Sequence, residues 1–180
     1  MGLVVRGGHA LVEIYPATAR HDVFARVPGG GIEFGETARQ AVHREFSEEL
    51  AATLRTVEPL AITENIFTSG GVSGHEVVHV FAIESPEVDA LPLDGELRVL
   101  DNHTTVRWVA LSALRSDDPP LYPVGMIRYA EALDARNQGG GPRSDRLDRL
   151  ETQFSGILFP HTTIGMPRRA RRSAGKSIRP

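Results

Sequence analysis

Gly30, Glu36, Arg44, Glu45, Glu48 and Glu49 combine a conformationally free backbone point, a lone carboxylate and a dense charged run within residues 30–50. On a helix, Glu45, Glu48 and Glu49 stand at i, i+3 and i+4, so they project from one side and can close on a single divalent cation. Like charges at those offsets cost an isolated helix roughly 0.2–0.5 kcal/mol per pair, and no lysine lies among these helix positions to offset them. A bound cation relieves that repulsion. Mg2+ suits the set best, with Mn2+ as the alternative: both take hard oxygen ligands, and Mg2+ keeps waters and accepts substrate phosphates in its octahedron. An ordinary solvated helix face accounts for the charges between Arg44 and Glu49, but for neither Gly30 nor Glu36 at its spacing.

The helix that carries the carboxylates has a readable start. Thr37 can accept from a first-turn N–H while Gln40, three residues on, reaches back to the Thr37 N–H, a reciprocal capping box that fixes the register. Val42, Phe46 and Leu50 then form an apolar stripe that must face a core. Glu45, Glu48 and Glu49 share their arc with Ala38, Ala41 and Ala52, small neighbours that leave room for a ligand. Ahead of the helix, Gly29, Gly30 and Gly31 let the backbone turn sharply and approach a ligand, and the Gly30 carbonyl is a candidate metal ligand.

The remaining elements are expected to hold this unit in place. The chain has 180 residues, 41% of them hydrophobic, which fits one globular domain with a core and an appendage. Residues 3–5 and 10–15 are β-prone around a Gly7-Gly8 turn, and residues 22–27 alternate in strand fashion until Pro28 and the glycines interrupt them. Residues 54–67 and 75–83 read as a hairpin with a turn over 69–74. A Pro- and acid-rich connection follows, then a strand over 104–110 with the sole tryptophan, Trp108. Residues 122–135 read as helix, with Met126, Ala130 and Leu133 at helical spacing. This is an α+β arrangement without an internal repeat.

Composition narrows the function classes. A net charge of −3 marks neither a nucleic-acid nor a membrane binder. The absence of cysteine excludes disulfides, zinc-thiolate sites and thiol catalysis, leaving oxygen and imidazole donors for a metal. The opening segment is broken by Arg6, Gly7 and Gly8 before an apolar run develops, so a cytoplasmic protein without a membrane span is expected.

The pattern G-x5-E-x7-R-E-U-x-E-E-x-G-U, with U a bulky aliphatic, is the signature of the Nudix hydrolases, and residues 30–52 resemble it. Gly30, Glu36, Arg44, Glu45, Glu48 and Glu49 match in position, and Phe46 is hydrophobic where the pattern wants an aliphatic. Ala51 replaces the second glycine and Ala52 the last aliphatic, at the point where a glycine normally closes the helix. The resemblance implies an α/β/α sandwich with a mixed β-sheet over residues 1–135. It also implies metal-dependent hydrolysis of a pyrophosphate bond in a nucleoside diphosphate linked to another moiety. In that family the glutamates matching Glu45, Glu48 and Glu49 bind metal or orient the attacking water. The arginine matching Arg44 holds one of those carboxylates, and the glutamate matching Glu36 supports the loop. Glu45, Glu48 and Arg44 are thus the candidate catalytic residues, Glu45, Glu48, Glu49 and Gly30 the candidate metal ligands, and Glu36 and Thr37 their structural support.

A further acid often serves as base or ligand in the family, and Glu76 and Glu96 are candidates. Substrate contacts are otherwise unassigned. Trp108 is carried as a candidate for stacking on a base, with core packing as the leading account of it. His75 and His79 fall on one strand face, where a structural or surface role is expected, and loop polarity accounts for Asn102 and His103. Near residues 67–70 the proline mark of ADP-ribose hydrolases and the tyrosine mark of dinucleoside polyphosphate hydrolases are both missing, so a nucleotide sugar, a nucleoside triphosphate or a damaged nucleotide stay open. The alternative class is a Nudix-type nucleotide sensor that binds without cleaving, to which only Ala51 points.

Residues 136–180 differ in composition. Gly139, Gly140, Gly141 and Pro142 suggest a link, residues 144–154 a short helix, and Ile157, Leu158 and Phe159 an apolar patch for docking on the body or on a second copy in a homodimer. Residues 167–180 hold six cations and no acid, read as a solvated tail ahead of an anion-binding one.

Overall fold

A computed structural model describes residues 1–18, 21–69, 72–99 and 104–139. The chain runs through β1 (Gly2–Leu3), β2 (Val5–Arg6), β3 (His9–Tyr15), β4 (Phe24–Arg26), α1 (Ala38–Leu50), β5 (Thr56–Ser69), β6 (Val72–Glu84), α2 (Pro86–Ala90), β7 (Glu96–Arg98), β8 (Thr105–Ala110), α3 (Leu111–Arg115), β9 (Leu121–Tyr122) and α4 (Met126–Gln138). Two mixed sheets result, ordered β1-β6-β5 and β7-β8-β3-β4-β9, with β2 paired to β3. β1 runs parallel to β6 and β4 parallel to β9, while the other pairings are antiparallel.

The helices cover opposite sides. On one, Val42, Phe46 and Leu50 of α1 pack against Leu11, Phe81 and Trp108, as the apolar stripe requires. On the other, α3 and α4 bring Leu114, Met126, Ala130 and Leu133 against Val12, Val27 and Val80. This is the expected α/β/α sandwich, and its two cores bury the inner faces of both sheets.

Element boundaries moved where a local signal had two meanings. Gly7 and Gly8 close the β2–β3 turn with φ of +55° and +74°, the left-handed pair a two-residue hairpin turn needs. The β5–β6 hairpin formed, but its strands reach further than the expected turn over 69–74: Phe67 pairs with Gly74 and Ser69 with Val72. Gly74 is a strand residue there because its missing side chain makes room for the Phe67 ring; a Cβ at Gly74 would lie 2.4 Å from Phe67 Cζ. The last helix starts at Met126 instead of 122 and continues to Gln138, past the expected limit at 135. Tyr122 precedes Pro123, which disfavours helical dihedrals at 122, and it pairs with Arg26 as part of β9 instead.

The helix α2 lies within the segment read as a connection, although Ser85 as N-cap, Pro86 and the acids Glu87 and Asp89 make a complete helix start. The expected link at 139–142, helix at 144–154, patch at 157–159 and basic end at 167–180 fall beyond the described residues, apart from Gly139, and so do Asn102 and His103. Among the described residues no helix is long and apolar enough to cross a membrane.

Candidate active site

The segment from β4 to α1 is tied down at both ends. Pro28 O accepts from Gly2 N at 2.9 Å, and Gly29 takes a φ of +123° with Met1 against its backbone. At the helix end both halves of the capping box form: Gln40 N donates to Thr37 Oγ1 at 3.2 Å, and Thr37 N donates to Gln40 Oε1 at 2.8 Å. Between these anchors, Glu36 Oε1 accepts from Glu33 N at 2.7 Å and folds the loop onto itself.

Arg44 then clamps the loop to the helix. Its Nη2 donates to Glu36 Oε1 at 2.7 Å and to Gly31 O at 2.9 Å, and its Nε donates to Glu36 Oε2 at 3.2 Å. The remaining nitrogen, Nη1, donates to Glu45 Oε1 at 3.0 Å and to Glu48 Oε2 at 3.2 Å. A planar fork suits this task and an ammonium would not, because several acceptors are met in fixed directions at once. The Arg44 hydrogen bonds hold the Glu36 carboxyl below its usual range, with the Glu33 amide adding to the effect. Glu36 in turn pushes the Arg44 guanidinium up, and Glu45 and Glu48 act in the same direction.

The three acids of the helix sit in different surroundings. Glu45 and Glu49, one turn apart, are buried, at 5% and 3% exposed, whereas the Glu48 side chain is 60% exposed. Glu45 lies against Gly30 so closely that a Cβ there would be 2.1 Å from Glu45 Oε1. The structure groups Glu45 and Glu48 around Arg44 Nη1, and among the described residues no three His, Asp or Glu side chains share a ready metal cage. The expected closure of three carboxylates on one cation is therefore not the arrangement seen: a guanidinium nitrogen stands between two of them.

The donor chemistry fits a hard divalent ion nonetheless. Two buried carboxylates carry more negative charge than one shared guanidinium cancels, the ligands are oxygens, and the glycine backbone comes within contact of one of them. Of the alanines expected to clear the acidic arc, Ala38 and Ala41 border open space. Ala52 does not: it lies past the helix end, buried in the core beside Leu50 and Leu54.

A cleft of about 440 Å³ opens beside this unit, lined by Gly30, Ala41, Arg26, Phe67, Glu76 and His79 among others. Glu45 meets the cleft through Gly30. Of the further candidates, Glu76 lies in the cleft, 3.7 Å from Arg26 Nη2. Glu96 is an exposed residue of β7, paired with Arg107, and is not among the cleft residues. Trp108 is a core residue: its Nε1 donates to Leu91 O at 3.3 Å, and the Arg6 guanidinium stacks 4.5 Å from the ring centroid. His79 lines the cleft, while His75 is an exposed residue 3.5 Å from Glu64. Sequence reading missed Arg26 and Phe67. A cation just ahead of the glycine loop and an aromatic opposite a strand glycine were the available signals.

Comparison with known proteins bears on the same residues. The model of the NUDIX domain family matches residues 4–129. A NUDIX hydrolase from Nitrosomonas europaea is similar in structure at a TM-score of 0.54 and 19% identity, over 80% of this chain and 90% of that one. A MutT NUDIX hydrolase from Burkholderia pseudomallei aligns at 26% identity and a TM-score of 0.46, over 62% of this chain and 80% of its own. A MutT protein from Bacillus halodurans aligns at 22% identity and a TM-score of 0.48, over 72% and 76%. Comparison with curated proteins gave no match.

Proposed function

The chain belongs to the Nudix hydrolase family, and on that premise we propose that it cleaves the pyrophosphate bond of a nucleoside diphosphate derivative, a nucleoside triphosphate or nucleotide sugar, with Mg2+ or Mn2+ as cofactor. The observation that carries this reading is the Arg44 clamp, which fixes Glu45 and Glu48 relative to the glycine loop at the mouth of a cleft.

Glu45, Glu48, Glu49 and the Gly30 carbonyl would hold the ion. Once bound, it neutralises phosphate charge and lowers the pKa of a coordinated water. The chain's own contribution is placement. Arg44 holds one oxygen of Glu48, so Oε1 of that exposed carboxylate faces the solvent side and takes the proton of the attacking water. The water oxygen bonds to phosphorus, the bridging P–O bond breaks, and its electron pair leaves with the departing phosphate. Glu36 acts through Arg44 as a positioning residue, as Thr37 does through the helix start. The cleft takes the nucleoside end.

The binding-only alternative rested on Ala51. That residue adopts φ 51° and ψ 34°, the left-handed turn a helix-closing glycine takes, and Ala52 N donates to Phe46 O at 3.1 Å. The substitution therefore leaves the helix end as an active site needs it, and no other observation favours a sensor. A phosphate-release screen across nucleoside triphosphates, nucleotide sugars and dinucleotides tests the proposal. Metal-dependent release from at least one class, lost on chelation, is expected. Silence across the panel with either metal overturns it.

A further inference from the structure

The outer part of the cleft pairs an aromatic surface with an unusual polar group. In the β5–β6 register Asn65 opposes Glu76 and Phe67 opposes Gly74, so Phe67 and Glu76 share a face of the hairpin as diagonal neighbours. Diagonal side chains on a sheet stand about 7 Å apart, the distance that separates a stacked ring centre from a group meeting that ring's edge. Phe67 is fixed in place. It packs on the Phe24–Tyr122 pair, whose rings meet edge-on at 5.7 Å, and its ring lies over the bare Cα of Gly74. A planar heteroaromatic ring is the ligand such a wall receives.

Glu76 is the feature that needs explaining. A carboxylate in a cleft that admits polyphosphate repels its ligand unless it does something for the rest of the molecule. Its neighbour Arg26 comes from the other sheet, and at 3.7 Å the pair lies beyond hydrogen-bond distance. Both side chains are partly exposed, at 24% and 36%, toward the cleft they line. A carboxylate and a guanidinium held slightly apart present an acceptor beside a donor, and a base edge can satisfy both.

We propose that Arg26 and Glu76 select nucleobases carrying an amino group beside a ring-nitrogen or carbonyl acceptor, which are adenine, guanine and cytosine, over uracil and thymine. The amino group donates to Glu76 and its neighbour accepts from Arg26. Uracil and thymine offer one N–H flanked by two carbonyls, so a carboxylate reaching the N–H meets a carbonyl oxygen with its second oxygen. Leaving a buried polar group unmatched is what makes such discrimination large. The inference rests on the cleft holding the nucleoside, as in the proposed function.

Calorimetric titration of the full chain with ADP, GDP, CDP, UDP and inorganic pyrophosphate, all with Mg2+, decides it. At least one amino-bearing nucleotide is expected to bind ten-fold or more tightly than UDP. Glu76→Gln should compress that ratio to within about three-fold, because an amide can donate to a carbonyl, and should leave pyrophosphate binding unchanged. Gly74→Ala, which displaces the Phe67 ring, should weaken every nucleotide together and spare pyrophosphate. Equal affinity for UDP and the others overturns the inference, and so does a Glu76→Gln effect that is the same for all ligands including pyrophosphate. Failure of every nucleotide to bind overturns it too, while release of phosphate from other pyrophosphates would leave the hydrolase reading standing. Base selectivity without phosphate release from any substrate would do the reverse.

Discussion

The Glu45 carboxylate occupies the place where a side chain on Gly30 would begin: a Cβ there would lie 2.1 Å from Glu45 Oε1 and 2.4 Å from its Cδ. Gly30 has no positive φ, so its backbone would accept alanine, and only the carboxylate stands against it. Gly30→Ala is therefore expected to displace Glu45, lowering kcat on the order of a hundredfold and stability by about 1–3 kcal/mol, the usual cost of overpacking a filled site. Urea unfolding of the double variant Gly30→Ala/Glu45→Ala checks the cause. It should recover stability relative to additivity while activity stays lost; strict additivity would show that the contact is not what matters.

Arg44 meets Glu36, Glu45, Glu48 and Gly31 O with one guanidinium. Arg44→Lys keeps the charge and loses the fork, and is expected to cost on the order of 2 kcal/mol, a figure reduced from that of a fully buried pair because the side chain is partly exposed. Arg44→Ala should cost more, since Glu45 is then left buried beside Glu49 with less counter-charge. Equal denaturation midpoints for Arg44→Lys and wild type would remove the clamp from the account of stability.

Glu48 differs from its neighbours in being exposed, and its one printed contact is a surface pair with Arg44. Glu48→Gln should therefore change stability by no more than about 0.5 kcal/mol. Its effect on turnover should be far larger, a kcat lower on the order of a thousandfold with KM little changed, as expected for loss of a proton acceptor. Steady-state kinetics beside thermal melts separates the two. Retained turnover would shift the proton-accepting role to another residue.

How much of this was legible in the sequence depended on range. The α1 unit was readable because its signals are local: Thr37 and Gln40 cap within one turn, and Val42, Phe46 and Leu50 recur at helical spacing. Arg44 was foreseen holding one carboxylate, whereas it joins three and a loop carbonyl, a fact fixed by how the loop folds back. The cleft was not readable. Arg26 and Glu76 lie on different sheets, fifty positions apart, and nothing local announces that they meet. Gly74 misled because a glycine near a hairpin turn and a glycine beneath an aromatic ring look the same in sequence. Pro123 and Ser85 were available signals for where α4 starts and where α2 exists.

The Glu36 carboxyl is held below its ordinary range chiefly by the Arg44 hydrogen bonds. A depressed folded value means that the unfolded chain binds the proton more tightly. The stabilisation is thus present above the unfolded carboxylate range, near pH 4.5, and is lost as pH falls through the lower folded value. Glu36→Gln should remove that part of the acid dependence, so its stability should fall less steeply than wild type between about pH 5 and pH 3. Urea midpoints measured across that window test it, and parallel curves for the two proteins would contradict the coupling.

Ala51 closes α1 in the left-handed region with a side chain that disfavours it. For a residue with a Cβ this conformation costs about 1–2 kcal/mol, and the turn survives because Ala52 N still reaches Phe46 O and because Leu50 and Ala52 are buried on either side of it. Ala51→Gly removes the steric cost but makes the unfolded chain freer by about 0.5–1 kcal/mol, so a net gain of about 0.5–1 kcal/mol is expected. Ala51→Val should lose stability instead, since a β-branched side chain is still less tolerant of positive φ. Activity should hardly change in the glycine variant, because the helix already ends where it must and Glu48 and Glu49 keep their register. A destabilised Ala51→Gly would show that the turn is not left-handed in solution. A tenfold rise in kcat would show that the alanine strains the placement of those two glutamates after all.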